Sequence, residues 1–224
     1  AYIHNVNGNG NPAEELPDGW SLMQWINEEV HKFYPNALTI AEDLRTNKWI
    51  TKGVGAGGAG FGAQWDSEFI HPIRQTILAM NDSDRDMQVV SNALCHRYDD
   101  HAFARVVYTE SHDEVANGKA RIPEEITPGD AASYFSRKRS TLGAAMALVA
   151  PGIPMIFQGQ EFLEDHWFTD TDPLDWSRVE QYKPVHALYR DLIYLRRNCG
   201  DVTLGLTGPH CDVYHVDNEQ KVIA

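Results

Sequence analysis

Arg105-Val106-Val107-Tyr108-Thr109-Glu110-Ser111-His112-Asp113 is the stretch that decides the fold of this chain. Its first half reads as apolar and β-branched, the composition of a strand buried on both faces. Its second half turns abruptly acidic and polar. Two other places repeat the design. Ala37-Leu38-Thr39-Ile40-Ala41 runs into Glu42-Asp43, and Ile153-Pro154-Met155-Ile156-Phe157 runs into Gln158-Gly159-Gln160-Glu161. A buried strand has no need of carboxylates or amides just past its C-terminal end. A barrel of parallel strands with its active site on that face does. The expectation is a catalytic α/β-barrel element with chemistry at Glu42 and Asp113.

Outward from these strands, the pattern alternates. Turn signals fill 7–12 and Pro17-Asp18-Gly19. Ser21 with Gln24 forms a capping box, and Leu22, Trp25, Ile26, Val30 and Phe33 share one helical face. Tyr34-Pro35-Asn36 ends that helix. Gly53, Gly55 and Gly58 match a GxGxxG string, but they neither leave a strand directly nor open a helix. A dinucleotide site is therefore rejected in favour of a flexible active-site loop. A strand at 61–65, helices at 68–80 and 86–95, and a strand at 104–109 follow. Thr127-Pro128-Gly129-Asp130 has the pattern of a helix start, for a helix running to Val149. A polar loop spans 159–182, and a last helix spans 184–198. Beyond Gly200 the texture changes to short strands, at 202–206, 212–216 and 221–224, with a turn at Asp217-Asn218.

Composition narrows the functions. The chain has 224 residues, 42% hydrophobic and 23% charged, with a net charge of -13. That charge argues against nucleic acid or an anionic membrane as partner, since both select basic surfaces. It suits a neutral substrate. The 6 Trp and 9 Tyr could give sugars flat faces to stack on, but most, Trp65 and Trp167 among them, are expected in packing. Cys95, Cys199 and Cys211 form no disulfide framework or CxxC pair, which points to a reducing, cytoplasmic setting. There is no run of apolar residues long enough to span a membrane, and no signal peptide. The chain opens on Ala1 with no initiator Met, as the middle of a longer protein would.

Cleavage or transfer of a glycosidic bond needs two carboxyl groups flanking an acetal, one of them a general acid that returns as base. Thr39-Ile40-Ala41-Glu42-Asp43 resembles the strand-five motif of the α-amylase family, glycoside hydrolase family thirteen. Glu110-Ser111-His112-Asp113 resembles its strand-seven motif. The run Ala150 to Glu161 is similar to its strand-eight region, most of all in glycogen and starch branching enzymes. The resemblance implies a partial (β/α)8 TIM barrel, about strands five to eight, over residues 1–199, and the start of a C-terminal all-β domain over 200–224. It implies that Glu42 is the general acid/base, that Asp113 stabilises the transition state and that His112 binds sugar. Asp43, Gln158, Gln160 and Glu161 either bind sugar or satisfy loop backbone. No cofactor or metal is implied. The substrate would be an α-glucan (glycogen, amylose or starch), and the remaining partner the N-terminal half of the barrel.

One departure stands out. The family's nucleophilic Asp lies in a Gly-x-Arg-x-Asp motif on strand four, and nothing before Glu42 matches it. The chain alone is therefore expected to be inactive. An α-amylase-type hydrolase and a non-catalytic glucan-binding module are the alternatives. A metal-dependent hydrolase built from His96, His101, Glu110, His112 and Asp113 lacks HExxH or comparable ligand spacing.

Overall fold

A computed structural model describes residues 16–116 and 118–224. The turn signals at 7–12 lie outside the described residues. The chain divides into two compact units, residues 1–67 with 97–106, and residues 68–96 with 107–224.

In the first unit, helix α1 (Pro17–Phe33) leads to strand β1 (Ile40–Ala41), strand β2 (Ala63–Trp65) and the start of strand β3 (Arg105–Val107). The pairing is parallel throughout. Ile40 and Ala41 face Ala63 and Gln64, and Gln64 and Trp65 face Arg105 and Val106. All three residues of β3 are buried, as the sequence requires. Its first residue is not apolar, however. The Arg105 guanidinium sits 3.0 Å from Asp66, and both side chains are fully buried. Pairing is what makes a buried charge tolerable there.

α1 corrects two expectations. It starts a turn before the Ser21 capping box, with Pro17 in its first turn and no side-chain cap on Leu16. Proline fits that position because its missing N–H would have no helical partner. The apolar face of α1 is also turned outward. Trp25 and Phe33 are each 62% exposed. The inward stripe is Trp20, Gln24 and Asn27, which donate to the carbonyls of Gly57, Gly58 and Ala59 at 3.2, 2.8 and 2.7 Å. The glycines have a packing reason. A Cβ on Gly58 would stand 2.2 Å from the Lys52 carbonyl oxygen, and Gly60 has φ +82°. Neither position accepts a side chain without moving backbone.

The second unit contains most of α2 (Ser67–Leu78), then α3 (Met87–Cys95), the end of β3, α4 (His112–Val115) and α5 (Ile122–Ile126). It continues with α6 (Tyr134–Val149), β4 (Ile153–Pro154), α7 (Arg178–Gln181), α8 (Lys183–Arg196), β5 (Val216–Asp217) and β6 (Val222–Ile223). The Met155 N–H donates to the Val107 carbonyl at 2.9 Å, joining the ends of β4 and β3. One core cluster packs Phe69 and Ile73 of α2 with Val90 of α3, Val107 and Ala147. A second packs Ala144 and Leu148 of α6 with Leu163, Val185 and Tyr189.

Several element boundaries differ from the sequence reading. Thr127 ends α5 instead of starting α6. The chain turns through Gly129 at φ +78°, and the Ser133 hydroxyl accepts from the Ser136 N–H to cap α6. Residues 204–207 form a 3-10 turn, not a strand. Val202 and Leu204 are 81% and 71% exposed, so no buried face holds that segment extended. The strand expected at 212–216 is reduced to β5, which takes Val216 and the expected turn residue Asp217; β5 and β6 pair antiparallel, and Val216 and Ile223 pack against the α2–α3 cluster. No helix among the described residues is long and apolar enough to cross a membrane, and Cys95, Cys199 and Cys211 are free thiols.

Candidate active-site loops

In the first unit, Glu42 follows directly on β1 and is exposed. The end of β1 is pinned by the Thr39 carbonyl, which accepts from the N–H groups of Gly62 and Ala63 at 3.0 and 3.3 Å. Asp43 closes the next turn, its Oδ1 accepting from the Arg45 N–H at 3.0 Å. Beneath the ends of β2 and β3, Asp66 also accepts from the Tyr98 hydroxyl at 3.2 Å. Buried Gln64 reaches the Asn47 carbonyl at 3.2 Å. The Thr39 bonds fix the strand end from which Glu42 follows.

In the second unit, the motif after β3 splits in two. Glu110 turns inward and is fully buried. It accepts from the Ile122 N–H at 2.6 Å and lies 3.5 Å from Arg121. Burial pushes its carboxyl up from the usual range, opposed by Arg121 and by the Ile122 N–H. His112 and Asp113, two and three residues on, turn outward. Their side chains are 49% and 54% exposed, with His112 Nε2 3.5 Å from Asp113 Oδ1. Asp113 lies in the first turn of α4.

Two buried arginines hold this arrangement. Arg121 donates to the carbonyls of Gln158 and His166 at 2.7 and 3.0 Å, and lies over the Phe157 ring at 5.0 Å. Arg74 donates to the carbonyls of Thr109 and Ala120 at 3.0 and 3.2 Å, and pairs with Glu125 at 2.7 Å. Burial pushes the Glu125 carboxyl up against the pull of Arg74. The loop carrying His112 and Asp113 is thus fixed at both ends by guanidinium groups, whose fork geometry suits several acceptors at once.

After β4, Gln158 is exposed. The Gln160 side chain accepts from the Phe157 N–H at 2.8 Å and donates to the Thr109 hydroxyl at 2.9 Å. It therefore ties the loops after β4 and β3 together. Glu161 accepts from the Gly159 N–H at 3.1 Å. Tyr189 is buried nearby, and burial, with Glu110 and Glu161 adding to it, pushes its hydroxyl far up.

Sequence reasoning missed Arg74, Arg121 and Glu164. Glu164 accepts from the N–H groups of Asp165, His166 and Asp175 at 3.1, 3.2 and 3.0 Å, organising the loop after β4. Burial pushes its carboxyl up, but those N–H groups and Arg178 outweigh it and hold it below the usual range. Nothing in the local sequence marks these residues, since a charged side chain in a loop ordinarily reads as solvated. The cluster Glu164, Asp165 and His166 has metal-ligand chemistry. Its oxygens are committed to backbone N–H groups and to Arg178, 3.0 Å from Asp165. The metal set weighed from the sequence loses Glu110, which is buried against Arg121. Trp167, expected in packing, is 50% exposed.

No protein-family model matches the chain. It is 30% identical over 195 residues to the 1,4-alpha-glucan branching enzyme GlgB of Pseudoalteromonas atlantica, a match covering 85% of this chain and 25% of that protein. To GlgB of Vibrio parahaemolyticus it is 30% identical over 199 residues, covering 88% of this chain and 25% of that protein. The chain thus spans about a quarter of the length of the curated relatives it matches. Among solved structures, the pullulanase from Anoxybacillus sp. LM18-11 complexed with maltotetraose superposes with a TM-score of 0.63 at 18% identity, over 88% of this chain and 32% of that one. That likeness shows the fold, an α/β arrangement on a parallel sheet. With the motifs that follow β1, β3 and β4, these findings define the class that the chain is similar to, the enzymes of the α-amylase family. Within that family it is GlgB-like.

Proposed function

We propose that this chain is part of an α-glucan-active retaining enzyme, a 1,4-α-glucan branching enzyme that forms α-1,6 branches in glycogen or starch. Residues 1–199 would be the second half of its catalytic barrel, and 200–224 the beginning of its C-terminal β-domain. The observation that carries the reading is the 30% identity to GlgB over 85% of the chain, with Glu42 directly after β1 and Asp113 in the first turn of the helix that follows β3. Glu42 is the general acid/base and Asp113 the stabiliser of the developing positive charge. His112, Asp43, Gln158, Gln160 and Glu161 contribute to sugar binding. The partner is the preceding half of the barrel, which supplies the nucleophile. The outward apolar face of α1 supports that, since Trp25, Ile26 and Phe33 are exposed together and such patches ordinarily meet a partner. The setting proposed is cytoplasmic, in keeping with three free thiols.

Hydrolysis and branching share the covalent glycosyl-enzyme step and differ in the acceptor, water or a glucan 6-hydroxyl. Specificity therefore resides in the loops that place the acceptor. The test is incubation of the full-length protein containing this chain with amylose. Debranched chain profiles are compared with reducing-end release. New α-1,6 linkages are expected. New reducing ends without them would make the enzyme an α-amylase-type hydrolase, and the absence of either product would leave a glucan-binding module.

A further inference from the structure

We propose that a cleft between α2, α3, α6 and β6 of the second unit binds a small anionic amphiphile, an alkyl carboxylate whose acid group is held by Arg139, with Lys221 adding positive charge to the same cleft. The cleft has a volume of about 890 Å³, within the range of small-molecule sites, roughly 300–1,000 Å³. Ile77 of α2, Met87 and Val90 of α3, Leu142 and Met146 of α6 and Ile223 of β6 form its apolar walls. None of the proposed site residues lines it. It is therefore separate from the chemistry assigned to Glu42 and Asp113, and does not depend on the α-glucan reading.

The polar groups of the cleft select the charge of the ligand, because most of them are already satisfied within the chain. The Thr76 hydroxyl donates to the Pro72 carbonyl at 2.8 Å, and the Thr127 hydroxyl lies 2.9 Å from that of Ser133. Asp82, the one carboxylate lining the cleft among the described residues, is paired with Arg85. Arg85 also donates to the Thr76 carbonyl at 3.2 Å and to the Ala79 carbonyl. Arg139 differs. Its Nη2 donates to the Leu78 carbonyl at 3.1 Å, but its Nε is buried and has no acceptor among the described residues. Burial, with Arg85 adding to it, pushes the Arg139 guanidinium down from its usual range, against a smaller pull from Asp82. Lys221 donates to the Arg85 carbonyl at 2.7 Å, which occupies one donor of an ammonium that carries several. Asp86 and Asp217 feel the Lys221 charge, but neither lines the cleft. An anion on Arg139 would satisfy its Nε and offset the like charge of Arg85.

The walls select the body of the ligand. Of the 5 methionines in the chain, Met80, Met87 and Met146 line this cleft, and their unbranched thioether chains adapt to a flexible alkyl chain. Met80 and Phe135 at its edge are exposed, so an apolar ligand removes surface from water on both sides of the contact. A sugar finds no match here. Its hydroxyl rim needs acceptors as well as donors, and the acceptors of this cleft are engaged. An inorganic anion would satisfy Arg139 but leave the hydrocarbon walls wet. A chain with one terminal carboxylate meets both requirements.

The experiment is calorimetric and uses the full-length protein containing this chain, with decanoate as probe, kept below the concentration at which it forms micelles. Decanoate should bind saturably. Decanol, which has the chain without the charge, and acetate, which has the charge without the chain, should each bind at least about tenfold more weakly. Arg139→Gln should weaken decanoate binding at least about tenfold, the usual worth of a hydrogen bond to a charged group, and Arg139→Lys should recover part of the loss. Leu142→Gln should weaken it about fivefold through lost apolar contact. A readout that leaves the anion site intact is methyl labelling of the methionines with carbon-13. The Met80, Met87 and Met146 resonances, identified by their loss in Met80→Leu, Met87→Leu and Met146→Leu, should shift as decanoate is added. Equal affinity for decanoate and decanol overturns the anion site, and so does decanoate binding unaltered in Arg139→Gln. Unmoved methionine methyls, or no saturable binding, overturn the proposal as a whole and leave the cleft to another segment of the full-length protein or to a second copy of it. None of these measurements uses turnover, so the α-glucan reading stands or falls separately.

Discussion

Glu42, Glu110 and Asp113 are three carboxylates beyond strand ends, and their surroundings differ. Glu110 is buried against Arg121 and the Ile122 N–H, while Glu42 and Asp113 are exposed. In the full-length protein, Glu42→Gln should lower kcat by at least about 100-fold with KM little altered, because an amide keeps the shape but cannot donate the proton. Asp113→Asn should behave in the same way, since its charge matters most as the oxocarbenium-like state develops. Steady-state kinetics on amylose checks both. A drop under tenfold for Glu42→Gln would remove it as acid/base, and a change confined to KM for Asp113→Asn would make that residue a ground-state binder. Glu164 gives a different prediction. Its folded-state carboxyl is held below the usual value of 4.5 by backbone N–H groups and Arg178. The unfolded chain then binds the proton first as pH falls, so the stabilisation is present above about pH 4.5 and is lost as pH falls through the folded value. Urea unfolding between pH 5 and 3 should show a shallower loss of stability in Glu164→Gln than in wild type. Parallel slopes for the two proteins would disprove it.

At the scale of elements, the helices expected at 68–80, 86–95 and 184–198 and the strands expected at 37–41, 61–65, 104–109 and 153–157 are present as α2, α3, α8 and β1 to β4. The ends were read less well. Thr127-Pro128-Gly129-Asp130 has every local mark of a helix start, yet Ser133 takes that part through its bond to the Ser136 N–H, 3.1 Å long. Thr127 instead touches the Ser133 hydroxyl at 2.9 Å. Ser133→Ala should therefore destabilise the protein by about 1 kcal/mol, the usual worth of a serine cap. Thermal and urea unfolding of Ser133→Ala beside wild type would show it, and a Ser133→Ala protein as stable as wild type would return the cap to Thr127. Arg74 and Arg121 escaped the sequence altogether. Each is an arginine amid ordinary polar neighbours, and only the fold brings three or more acceptors within reach of each guanidinium.

At the scale of the whole molecule, the first unit leaves the apolar face of α1 outward and Ile40 of β1 44% exposed. Residues 1–224 made alone should neither cleave nor transfer amylose, and should self-associate, since unpaired strand edges and exposed apolar faces invite pairing. Product analysis and light scattering on mass-verified protein check this. Turnover by those residues alone would demand a nucleophile among them and overturn the proposed division of the barrel. Co-production with the preceding half of the barrel should restore a monodisperse species if that half is the partner.

The sequence by itself determined the parallel α/β pattern, the strands that end in acidic and amide residues, and the family those endings resemble. Periodicity and composition are local properties, and they survive without knowledge of the fold. What the sequence could not decide is which way a side chain faces. In Glu110-Ser111-His112-Asp113, two acids stand three residues apart, and either could turn inward. The choice is made by Arg121 and the Ile122 N–H, which come from beyond the intervening helix and meet Glu110 in the interior. The same holds for α1, whose apolar stripe faces out because Gln24 and Asn27 find glycine-loop carbonyls on the other side. Trp167, too, reads in sequence as another packing aromatic, and only the tertiary structure leaves it half exposed. Burial of a charge or a ring depends on partners distant in the chain, and only the tertiary structure supplies them.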